Sequence, residues 1–90
     1  MQVISRELGA IREVRLDGVL DAVAAGAVRK DLAALIDGGA TALVIDMTDV
    51  ERIDSSGLGA LVTALKFARE RGGDMVLACL SPSVRAVVEL

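Results

Sequence analysis

Leu43-Val44-Ile45-Asp46-Met47, followed after an interval by Ile53-Asp54-Ser55-Ser56-Gly57-Leu58-Gly59, is the stretch that decides how this chain folds. Ala42 to Ile45 is a short apolar run bounded by turns, which suits a strand buried on both faces. Thr48 to Asp54 reads as a polar loop. An amphipathic helix then begins near Ser56, with Leu58, Leu61, Val62, Leu65 and Ala68 as its apolar stripe. This order places two hydroxyls at a helix N-terminus, where backbone N–H groups are unpaired and the macrodipole is positive. Such a place caps a helix well and also accepts a phosphate well. A serine there is a plain cap or a phosphorylation switch, and the residues alone leave both readings open. Capping explains one hydroxyl well and the second poorly. Gly57 and Gly59 each cost a helix about 1 kcal/mol relative to alanine. Their presence implies that a phosphate, a partner surface or a neighbouring strand approaches the backbone closely.

The flanking sequence supplies the other elements. Gln2 to Leu8 and Ile11 to Leu16 alternate in polarity around Gly9-Ala10, as in a β-hairpin that Asp17-Gly18 ends. Asp21 is placed to cap a helix from about Val23 to Ile36, whose Val28, Leu32, Leu35 and Ile36 recur at helical spacing. Gly38-Gly39 closes it. Gly72-Gly73 stops the second helix, and Met75 to Leu80 reads as another buried strand. Ser81 as N-cap with Pro82 at the first helical position opens a last helix through Val84, Val87 and Val88. The resulting order, β-β-α-β-α-β-α, predicts one α/β domain with a mixed sheet of about four strands.

Composition narrows the function. Ninety residues with 53% apolar content make one small domain, and its core must be aliphatic because Phe67 is the sole aromatic residue. The net charge of −3 with scattered basic residues argues against a nucleic-acid partner. No apolar run reaches membrane-spanning length, and the N-terminus lacks the shape of a signal peptide. The chain therefore reads as soluble and cytoplasmic. Cys79, the single cysteine, reads as a buried structural thiol.

Histidine is absent. That removes a Ser-His-Asp triad, a Cys-His pair and a His-ligated metal site. The glycines after Asp54 are not followed by the Gly-Lys-Ser/Thr of a P-loop, and no nucleophile elbow is present. Asp46, Asp49 and Asp54 raise the alternatives of a Mg²⁺ site or an Asp46 phosphoacceptor. A receiver domain would also need an acidic pair after its first strand and a lysine after its last, and neither is visible. No catalytic residue, cofactor or metal is expected, and the chain reads as a binding module rather than an enzyme.

The same residues resemble the STAS domain of bacterial anti-sigma factor antagonists. The resemblance rests on Leu43 to Met47 and on Ile53 to Gly59. It extends to Leu16-Asp17-Gly18-Val19-Leu20-Asp21, to Gly72-Gly73-Asp74-Met75-Val76-Leu77, and to Ser81-Pro82-Ser83-Val84-Arg85. It runs in one register from about residue 11 to residue 90. It implies a protein that, when unphosphorylated, captures an anti-sigma factor serine kinase and frees the sigma factor. Phosphorylation would fall on Ser55, directly after the motif's aspartate, and a phosphoserine phosphatase would reset the switch. Asp21, Asp54, Ser56, Gly57 and Leu58 would form the partner-binding face, with Ser56 capping the helix or orienting Ser55. A STAS scaffold subunit of a stressosome or of a lipid-transport ABC system is the alternative. Arg52 stands where the family carries an apolar residue, and Ala24 where a threonine is frequent. The family's final strand and helix are not seen by Leu90. The chain, taken as one STAS domain over residues 1–90, is then either a piece of a longer protein or one completed by self-association. An uncovered sheet edge or apolar helix face would favour a homodimer.

Overall fold

A computed structural model describes residues 1–89. Its elements are β1 (Gln2–Leu8), β2 (Ile11–Leu20), α1 (Ala22–Asp37), β3 (Ala42–Ile53), α2 (Ser55–Glu70), β4 (Asp74–Ala78) and α3 (Pro82–Val88). The four strands lie in the order β1-β2-β3-β4. β1 runs antiparallel to β2, while β2, β3 and β4 are mutually parallel. Parallel neighbours in sequential order, joined by right-handed crossovers, carry their helices on one face of the sheet. Side-chain burial agrees. Val14 and Leu16 in β2, and Leu43, Ile45 and Met47 in β3, point into the core with Val28, Leu32, Ile36 and Leu61 from the helices.

Among the described residues no helix lies on the opposite face of the sheet. Ile4, Arg15, Asp46 and Ala78 share one row of the strand register there. Val44 is therefore only half-buried, and β3 is buried on one face rather than both.

β2 and β3 are longer than their sequences suggest. β2 does not stop at Asp17-Gly18 but runs through a left-handed Gly18 to Leu20. β3 absorbs the expected loop Thr48 to Ile53. Its register against β2 slips by one residue after Arg15/Asp46 and again after Gly18/Val50. Each slip is a bulge that resets side-chain parity. Met47, Val50 and Ile53, three residues apart, thereby all reach the core.

β4 ends at Ala78 and forms a sheet edge, and Val76, paired with Val44 on the sheet face opposite the core, is 53% exposed rather than buried, whereas Met75 faces the core. Cys79 lies beyond it, exposed and with a positive φ of 60°, and is not a core thiol. Ser81 caps α3 through the Val84 N–H, with Pro82 in the first turn.

Candidate functional site

α1 and α2 begin at the C-terminal ends of β2 and β3, and both begin in the same way. Asp21 accepts hydrogen bonds from the N–H groups of Val23 and Ala24, at 3.1 and 3.2 Å. Asp54 accepts one from the Gly57 N–H at 2.9 Å. Both aspartates are extended, with φ of −118° and −117°. The two caps are tied together, because the Asp54 N–H donates to the Leu20 carbonyl at 3.2 Å.

Gly57 makes this approach feasible. It is buried, and a Cβ built on it would stand 2.1 Å from the Leu20 carbonyl oxygen. Its role is to let α2 lie against the end of β2, so it underlies the face instead of projecting from it. Gly59, two residues on, is different: a Cβ there would meet nothing within 4 Å.

The cap of α2 is therefore Asp54, not Ser56. Ser55 and Ser56 occupy the first helical turn and are exposed. Among the described residues neither hydroxyl has a hydrogen-bond partner within the protein. Leu58 is half-buried and packs on the core. Val23, in the first turn of α1, is 92% exposed, more than any other large apolar side chain among the described residues. Nothing in its sequence pattern marks it beyond its place two residues after the cap.

The acidic residues do not converge. Asp46 lies mid-strand, not at a strand end, and accepts from the Thr48 hydroxyl and from the Thr48 N–H at 2.9 Å. These bonds, the hydroxyl's first, hold its carboxyl below the usual aspartate range, with Arg15 assisting and partial burial opposing. Asp49 is ion-paired with Arg15 at 3.6 Å. Among the described residues no three His, Cys, Asp or Glu side chains are grouped to hold a metal ion. Among them, too, no helix is long and apolar enough to cross a membrane.

Residues 2–90 match the STAS domain family. The chain belongs to the STAS domain family. It is 36% identical over 69 residues to the anti-sigma-B factor antagonist of Bacillus subtilis, covering 77% of this chain and 62% of that protein. It is 33% identical over 78 residues to the anti-sigma-B factor antagonist of Listeria monocytogenes, covering 87% of this chain and 68% of that protein. This STAS domain thus spans about two thirds of the length of these curated relatives. Its fold is that of the anti-sigma factor antagonist SpoIIAA in its unphosphorylated form, with a TM-score of 0.78 at 22% identity over 98% of this chain and 82% of that one. The phosphorylated form of SpoIIAA superimposes with the same TM-score of 0.78, covering 98% of this chain and 81% of that one at 22% identity.

Proposed function

We propose that this STAS domain is an anti-sigma factor antagonist whose unphosphorylated form binds a serine-kinase anti-sigma factor and so releases the sigma factor. Phosphorylation of Ser55 ends the binding, and a phosphoserine phosphatase restores it. The observation that carries this reading is that Asp54 caps α2. The helix therefore needs neither serine hydroxyl for its own stability, and both are exposed and unpartnered. The names of the curated relatives support the class of partner. A protein of this fold, SpoIIAA, is known in phosphorylated and unphosphorylated forms.

On this reading the domain is a substrate, not an enzyme. The Ser55 oxygen bonds to the γ-phosphorus of the kinase's ATP, the bond to the bridging oxygen breaks, and ADP leaves. The hydroxyl proton passes to a base on the kinase. The new group carries about −1.5 to −2 charges beside the capping carboxylates of Asp54 and Asp21. A helix N-terminus tolerates that charge in water. An interface that must bury it meets repulsion and desolvation, so the complex fails while the fold persists. Ser56, Leu58, Asp21 and Asp54 complete the binding face, and Gly57 sets its shape from beneath.

Titration calorimetry against the cognate kinase tests this. Ser55→Ala should bind as the parent does and resist switching off. Ser55→Asp and Ser55→Glu should bind at least about tenfold more weakly, an interface charge penalty of more than about 1.4 kcal/mol. Equal binding by all three variants would overturn the reading.

A further inference from the structure

A groove of about 360 Å³ runs between the solvent sides of α1 and α2. Arg29 and Ala33 of α1 line one wall, and Thr63, Lys66 and Phe67 of α2 line the other. Its surface is mostly apolar. Arg71 closes the far end, its guanidinium 4.5 Å from the centre of the Phe67 ring and ion-paired with Asp37 at 2.6 Å. Glu70 lies at that end too.

The groove points at Ser55 and Ser56. Gly59 precedes Thr63 by four residues and follows Ser56 by three, so the three share one face of α2. Gly26 precedes Arg29 by three and follows Val23 by three, on one face of α1. Gly26 and Gly59 both lie inside helices, and a Cβ on either would meet nothing within 4 Å. Packing inside the domain therefore gives no reason for two residues that weaken their helices. Neither glycine places a side chain of its own between the groove and the serines.

Charge says what the groove takes. Of the ten basic side chains, six form ion pairs among the described residues: Arg6, Arg12, Arg15, Arg69, Arg71 and Arg85. Of the other four, Arg29 and Lys66 stand on opposite walls of the groove, Lys30 lies beside Arg29, and Arg52 lies in β3 away from it. An apolar floor between unpaired cations fits an apolar stripe flanked by carboxylates.

We infer that the groove between α1 and α2 docks an amphipathic helix with acidic flanks from the same anti-sigma factor kinase that engages Ser55. The inference rests on the functional reading above and extends its interface two to three turns along the helices. The helix would seat apolar residues against Ala33 and Phe67 and its carboxylates against Arg29 and Lys66, with the glycines giving it clearance beside the serines. Groove contacts add affinity without touching the phosphorylated residue, so the switch and the strength of binding are set by separate residues.

The test uses Gly59→Leu combined with Lys66→Glu, with Ser55→Asp as the reference variant. Binding to each purified serine-kinase anti-sigma factor of the source organism is measured, and amide NMR shifts are recorded with and without the kinase. A Cβ at position 59 meets nothing within 4 Å, and leucine favours a helix over glycine, so thermal unfolding of Gly59→Leu alone should stay at or above the parent's. The groove variant should lose at least about tenfold in affinity, and Arg29, Thr63, Lys66 and Phe67 should shift when the parent binds. Loss of binding in Ser55→Asp alone, with the groove variant unaffected, would overturn the groove proposal and leave the functional reading standing. No kinase binding by the parent would overturn both. Groove shifts produced by raising protein concentration or by oleate, and not by kinase, would assign the groove to a second copy or to a lipid and also overturn the proposal.

Discussion

The starts of α1 and α2 share a design and differ in content. Each helix follows a parallel strand, and each is capped by an extended aspartate, Asp21 or Asp54. After Asp21 come Ala22 and the exposed Val23; after Asp54 come Ser55 and Ser56. α1 shows that this fold caps a helix at that place without a serine. The two hydroxyls of α2 are surplus to the folding problem, and a surplus exposed hydroxyl at a helix N-terminus is available for chemistry. The comparison also separates two glycines. Gly57 is required by the approach of α2 to Leu20, whereas Gly59 and its counterpart Gly26 are required by nothing inside the domain.

The largest effect should come from the glycines. Gly57→Ala drives a methyl group into the Leu20 carbonyl and should destabilise the fold by about 3 kcal/mol, the upper end of the overpacking range. Gly59→Ala should instead stabilise it by about 0.5–1 kcal/mol. Urea denaturation of the two variants reads this difference in sign, and equal losses would remove the distinction between them.

Next in size are the caps. Asp21→Ala and Asp54→Ala should each cost about 1 kcal/mol, while Ser55→Ala and Ser56→Ala should stay within about 0.5 kcal/mol of the parent. A serine variant as costly as Asp54→Ala, by the same denaturation measurement, would return that hydroxyl to a capping role.

The smallest expected effect lies away from both helix starts, at Asp46. Its folded pKa is lowered, chiefly by the Thr48 hydroxyl. Its stabilising contribution is therefore present above the ordinary aspartate range and is lost as pH falls through the folded value. Asp46→Asn should flatten the fall in melting temperature below about pH 4. Asp74, lowered mainly by the Met75 N–H, should preserve part of that fall. An unchanged pH profile would show that the Thr48 bonds contribute nothing to folding.

These contrasts also mark what the residues disclose on their own. The order of elements was readable because helix periodicity, Asp21, Ser81-Pro82 and the paired glycines all point the same way. β3 past Met47 was not, because its buried residues Met47, Val50 and Ile53 recur every three positions. Two bulges create that spacing, and a period of two cannot reveal it. Met75 to Leu80 looked buried because it is apolar, yet burial of an edge strand depends on neighbours the sequence does not display. At the site, the motif drew attention to Ser55, and the structure places its side chain exposed in the first turn of α2. The assignment of the cap to Asp54 over Ser56 was not legible, since both residue types cap well and only geometry chooses between them. Gly57 looked like a contact residue because a close approach was inferred without its direction.

The central claim is that Ser55 is the residue the kinase modifies. Incubation of the protein with the proposed serine-kinase anti-sigma factor and ATP, followed by intact-mass measurement and peptide mapping, tests it most directly. The account predicts a single phosphate on Ser55, retained in Ser56→Ala and absent in Ser55→Ala. A phosphate on Ser56, or none on either serine while the kinase still binds, would contradict it.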